Sequence, residues 1–143
     1  MAEIVAAGEA MERALALLNG GDVVAIPTET VYGLAGDATN GIGVARIFEA
    51  KGRPRFNPLI AHVADLAMAE RIASFDPLSR KLAAAFWPGP LTLVLPQRPG
   101  NGIHPLVTAG LDTIALRMPK GFGGELIARL GHPLAAPSAN SSG

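Results

Sequence analysis

The sequence predicts an α/β or mixed α+β domain, built as an open, twisted sheet with helices on both faces. Three observations point there. Short apolar runs alternate along the chain with longer stretches of helical spacing. The runs carry few polar interruptions, as in strands covered on both faces. A composition that is 49% hydrophobic and 17% charged belongs to a globular chain. A length of 143 residues suits one domain, so residues 1–143 are read as a single unit.

The elements follow in order. Residues 4–18 place Ile4, Val5, Leu15, Leu17 and Leu18 at helical spacing before the stop signal Asn19-Gly20-Gly21. "DVVAIP" (22–27) reads as a short buried strand, and "PTETVYGLAGDA" follows it. "NGIGVARIFEAKG" (40–52) reads as a helix opened by Asn40 and closed by Gly52. "LIAHV" (59–63) is a strand, and helices are expected near 65–73 and 77–86. "LTLVL" (91–95) and "TIALRM" (113–118) are strands flanking a Pro/Gly-rich loop, "PQRPGNGIHP" (96–105), read as a hairpin-like excursion or lid. "GGELIARLG" (123–131) is helical, and "PLAAPSAN" (133–140) is a last strand running into a loop.

Composition removes several classes of function. Without cysteine there is no disulfide frame, thiolate nucleophile or thiolate metal site. No apolar run reaches the roughly 18 residues of a membrane span, and the N-terminus lacks the pattern of a signal peptide, so a cytoplasmic location with no membrane partner is expected. There is no P-loop and no G-x-S-x-G elbow. "GIGVAR" and "GFGGEL" fail the dinucleotide fingerprint at Arg46 and Leu126. His62, His104 and His132 are scattered, so no metal site is expected from protein ligands. The net charge of zero conceals an asymmetry. Residues 1–45 hold one base and six acids, whereas residues 46–143 hold eleven bases and six acids. Such a field can steer an anion, or it can be chance segregation.

Polar residues at the ends of apolar strands are the remaining candidates for chemistry. In "KGRPRFNPL", proline pushes Arg53 and Asn57 toward extended backbone. If Lys51-Gly52-Arg53 is extended, Lys51 and Arg53 point the same way and form a cationic pincer suited to phosphates. The competing reading is a helix C-terminus whose bases satisfy its dipole. Ser138 and Asn140 of "PSAN", and Thr28 and Thr30 of "PTET", share faces in the same way, or serve ordinary turns. Arg117, between Leu116 and Met118, needs an anionic partner if buried: a ligand, or an acid such as Asp112. His62 reads as a satisfied core histidine.

Taken together, "PTETVYGLAGDAT", "KGRPRFNPLIAHV", "WPGPLTLVL", "TIALRMP" and "APSANSSG" resemble, in order, the YrdC-like threonylcarbamoyl-adenylate synthase family over residues 22–143. The family's K-x-R and S-x-N signature falls on Lys51, Arg53, Ser138 and Asn140. The resemblance implies a YrdC/RibB-like sheet with a positively charged concavity. It implies a nucleotidyltransferase joining L-threonine, bicarbonate and ATP into threonylcarbamoyl-AMP, with release of pyrophosphate, for threonylcarbamoyladenosine in tRNA. ATP is then a substrate, with Mg²⁺ held by its phosphates. By position, Lys51 and Arg53 are catalytic; ATP meets Lys51, Arg53, Asn57, Thr113 and Asn140. Threonine meets Thr30, His62, Arg117 and Ser138. Further partners implied are tRNA and tRNA-modification proteins. Family domains continue beyond S-x-N, so a domain incomplete at its C-terminus is expected, with weak or no activity alone. A second reading is an RNA-binding module of the same fold, which the 5% aromatic content supplies poorly with stacking platforms.

Overall fold

The computed structural model describes residues 7–27 and 32–137. Helix α1 (Ala7–Asn19) leads into strand β1 (Val24–Pro27), strand β2 (Tyr32–Asp37) and helix α2 (Gly41–Lys51). Strand β3 (Ile60–His62), helices α3 (Leu66–Ile72) and α4 (Pro77–Phe86), and strand β4 (Leu93–Pro96) follow. Strand β5 (Thr113–Arg117), helix α5 (Gly121–Leu130) and strand β6 (Leu134–Ala136) complete the described elements. The mixed sheet runs β1-β2-β6-β3-β5-β4, with β3 and β5 parallel and the other pairs antiparallel.

The sequence-based boundaries hold best where a cap announces them. The Asn40 side chain accepts hydrogen bonds from the Ile42 and Gly43 amides, which opens α2. Gly52 closes it in the left-handed conformation (φ 60°), with its N–H on Glu49 and the Arg53 N–H on Phe48. That is the double closure a residue without Cβ permits. Asp76 caps α4 through the Ser79 amide, with Pro77 in the first turn, where a missing N–H costs nothing.

The expectations are corrected or narrowed in three places. The segment after β1, in which the sequence marks no strand, contains β2, which pairs with β1 through Val24–Ala35 and Ile26–Gly33 and with β6 through Asp37–Leu134. Its "YGLAGD" is glycine-rich, and backbone pairing on both sides supplies what its side chains do not. Of the two readings of the 96–105 loop, the hairpin-like excursion describes its start: the Gln97 N–H donates to the Asp112 carbonyl just beyond the Pro96–Thr113 pair, before the Arg98 N–H turns to Ile72 and the His104 N–H to Ala38. The strands are also not all covered on both faces. β3 and β6 are buried throughout, but β4 alternates and β5 exposes every second side chain wholly or in part.

That alternation locates an uncovered face. Gly36 of β2 lies against the Gly43 backbone and Ile47, so α2 covers the face that also carries Ala135 and Ala61. Ile26 of β1 meets Gly123 of α5, which packs against α1, so these helices cover the other face at the β1–β2 end. Strand register carries that second face across to His62, Arg117, Ala115 and Thr113. At β4 and β5 it is open: Val94 is 63% exposed and Thr113 is exposed, while Leu93, Leu95, Ile114 and Leu116 sit in the core with Met68, Ile72 and Trp87 of the α3–α4 region. Burying each large side chain of this kind contributes roughly 1.5–3 kcal/mol. The core is therefore built on one side of β4–β5, and among the described residues the other side is uncovered.

Candidate functional site

Arg117 is the best-defined member of the open face. It ends β5, is half-buried, and stands beside His62 in the parallel β3–β5 register. Its Nε and Nη2 donate to the Thr92 hydroxyl at 3.0 and 2.7 Å. Among the described residues it has no carboxylate partner, so the structural pairing with Asp112 is not formed. A half-buried guanidinium fixed along one edge and lacking an acid retains the capacity to take an anion.

His62 is 7% exposed, with Nδ1 3.1 Å from the Ile60 carbonyl oxygen, which agrees with the reading of a satisfied, buried histidine. Thr113 lies on the same face as Arg117, four residues earlier, at the start of β5 opposite Pro96. The face thus presents Thr113 at one end and the Arg117–His62 pair at the other, about 13 Å apart along a strand.

The basic loop enters the sheet at the Thr113 end, because it precedes Ile60 and Ile60 pairs with Ala115. Its local geometry differs from the extended pincer. Lys51 belongs to the last turn of α2, and Gly52 turns the chain left-handed before Arg53. Helical and left-handed residues in succession do not leave positions two apart on one side, so helix termination overrides the effect of Pro54 here. Arg53 folds back on its own loop, donating to the carbonyls of Asn57 (3.4 Å) and Pro58 (2.9 Å). The Asn57 N–H closes a turn on Pro54. Lys51 and Arg55 are exposed and, like Arg53, have no carboxylate partner among the described residues. The loop is thus a hydrogen-bonded cationic turn whose bases meet no carboxylate among the described residues.

Thr28, Thr30, Ser138 and Asn140 lie outside the described residues. β6 ends at Ala136 opposite Ile60, and β1 ends at Pro27 opposite Tyr32. Both strands therefore deliver the chain to the end of the sheet where the basic loop enters. Sequence reasoning missed Thr92, which orients Arg117. Its position one residue before the β4 strand, opposite the end of β5, could have flagged it only once the β4–β5 register was known.

Residues 16–143 match the Sua5/YciO/YrdC domain family, described as "Telomere recombination". A threonylcarbamoyl-AMP synthase of Bacillus subtilis is 52% identical over 133 residues, covering 92% of this chain and 38% of that protein. The one from Pyrococcus abyssi is 49% identical, with 91% and 38% covered. The chain thus spans about two fifths of the length of these relatives. The solved structure of P. abyssi Sua5 complexed with L-threonine superposes with a TM-score of 0.86 at 46% identity, over 99% of this chain and 41% of that one. Escherichia coli YciO, at 20% identity and a TM-score of 0.81, shares the fold. By the family match and by this likeness in sequence and fold, the chain belongs to the Sua5/YciO/YrdC family.

Proposed function

We propose that this chain forms the substrate-binding part of a threonylcarbamoyl-AMP synthase. The observation that carries the reading is Arg117: half-buried on the open sheet face, aligned by Thr92, and without an acid among the described residues. A planar fork held in this way suits an amino-acid carboxylate. The related P. abyssi protein, solved in complex with L-threonine, supports the choice of amino acid.

In this reading Arg117 grips the threonine carboxylate, and His62 beside it, with Thr30 and Ser138, contacts the rest of the amino acid. The threonine amine and bicarbonate give a carbamate with loss of water. A carbamate oxygen attacks the α-phosphorus of ATP, the bond between that phosphorus and the α,β-bridging oxygen breaks, and pyrophosphate leaves. Lys51 and Arg53 neutralise charge that builds on the phosphates, with Asn57, Thr113 and Asn140 placing the nucleotide. The separation of Thr113 from Arg117 leaves room for ATP and threonine side by side. Mg²⁺ would arrive with ATP, held largely by its phosphate oxygens, and would help neutralise their charge. No described helix is long and apolar enough to cross a membrane. The product would serve tRNA modification in the cytoplasm.

ATP–pyrophosphate exchange tests the reading. Exchange that requires both L-threonine and bicarbonate is expected; exchange indifferent to threonine overturns it. The RNA-binding reading draws on Phe56, which is 77% exposed between Arg55 and Asn57. It requires RNA affinity that falls steeply with salt, without adenylate formation.

A further inference from the structure

A cavity with several charged side chains in its wall lies at the other end of α2. Thr39 lines it, just before the helix, whereas Lys51 ends the helix; eleven residues separate the two by about 16 Å of helical rise. The cavity, about 590 Å³, sits between the end of α3, the 98–101 loop and the 131–133 turn. Four of its side chains matter here: Arg71, Arg98, Glu70 and His132.

Its electrostatics favour an anion. Asp37, 5% exposed at the end of β2, has its charge engaged locally. One oxygen accepts from the Thr39 amide (2.9 Å) and hydroxyl (2.7 Å), and the other lies 2.8 Å from His132 Nδ1. A carboxylate oxygen can only accept, so Nδ1 carries the proton and Nε2 is the ring nitrogen left for a ligand. The ring is half-exposed. Arg98 is anchored through Nε to the carbonyls of Glu70 (2.6 Å) and Ala73 (3.2 Å), which leaves its terminal nitrogens as further donors. Arg71, in the last turn of α3, has no partner among the described residues. Glu70, the carboxylate in the wall, is held by Arg80 at 2.7 Å. The Ile72 carbonyl, which would repel an anion, already accepts from the Arg98 amide and the Asn101 side chain.

We propose that this cavity binds a phosphate group, free or as a small phosphomonoester, with Arg71 and Arg98 as its donors and His132 Nε2 accepting from the hydroxyl of a singly protonated phosphate. Two guanidinium groups, with an imidazole positioned by a buried carboxylate, match the acceptor oxygens and the one hydroxyl of such a tetrahedral anion. The site is independent of the basic loop and of the synthase reading.

The test follows the His132 ring signals by NMR while inorganic phosphate, and separately ribose 5-phosphate, is titrated at constant ionic strength against chloride. A saturable shift with phosphate and not chloride is expected. It should weaken about fivefold or more in Arg71→Gln, a residue with no fold-supporting partner, and persist in Lys51→Gln. Tighter binding of ribose 5-phosphate assigns a phosphomonoester, and equal or weaker binding assigns free phosphate. No saturable shift with either probe, an unchanged titration in Arg71→Gln, or loss of the shift in Lys51→Gln overturns the proposal.

Discussion

Replacing Arg117 by lysine separates charge from geometry at the proposed amino-acid site. The guanidinium spends Nε and Nη2 on the Thr92 hydroxyl, at 3.0 and 2.7 Å, which holds its plane before any ligand arrives. Lysine keeps the charge but has neither the fork nor this anchor. A hydrogen bond to a charged group contributes about 1.5–3 kcal/mol. Losing the second bond of a bidentate pair, together with its orientation, should therefore weaken L-threonine binding by roughly 10- to 100-fold. Because Thr92 and Arg117 are only partly buried, water replaces the lost bonds, and fold stability should change by less than about 1 kcal/mol. Thr92→Val leaves the guanidinium in place without its guide and should cost a smaller factor, about three- to tenfold. In the double variant the two losses should not add, since both act through one orientation. Isothermal calorimetry with L-threonine, and with its methyl ester as the uncharged control, measures all of this. Wild-type affinity in Arg117→Lys, or equal binding of ester and acid, refutes the carboxylate role.

Three further expectations concern the loop and the scaffold. Arg53→Ala should weaken ATP binding or slow adenylate formation by about tenfold or more with the fold retained, read by calorimetry and pyrophosphate exchange; unchanged nucleotide affinity and turnover in both Arg53→Ala and Lys51→Ala refutes the phosphate role. Gly36→Ala should destabilise by about 1–3 kcal/mol, because its Cβ would stand 3.3 Å from the Gly43 backbone. Gly43→Ala, whose nearest neighbour would be 3.6 Å away, should stabilise α2 by about 0.5–1 kcal/mol, and chemical denaturation distinguishes the two signs. The Asp76 carboxyl is held below its ordinary 3.8 by the Ser79 amide and hydroxyl. A lowered folded value means its stabilisation is present above pH 3.8 and is lost as pH falls through that lower value. Asp76→Asn keeps the cap but removes the titration, so any advantage of the wild type at neutral pH should vanish in strong acid, which denaturation midpoints across that range would show.

Local chemistry in the sequence determined where helices begin and end. Asn40 and Gly52 bound α2, and Asp76-Pro77 opens α4, because capping residues act on backbone groups only a few positions away. The sequence also identified the bases of the basic loop, the Arg117 position, and the family, through motifs whose order along the chain is itself the signal. Tertiary structure decided the rest. β2 exists because β1 and β6 pair with a glycine-rich segment that has little strand signal of its own. The open face of β4–β5 follows from where α1 and α5 dock, which no periodicity in "LTLVL" or "TIALRM" reveals. Thr92 reaches Arg117 across 25 positions and Asp37 reaches His132 across 95. Such contacts depend on strand order and register, set by hydrogen bonding and burial summed over the whole sheet. The residues that can do chemistry were legible in the chain; which of them stand together was settled by the fold.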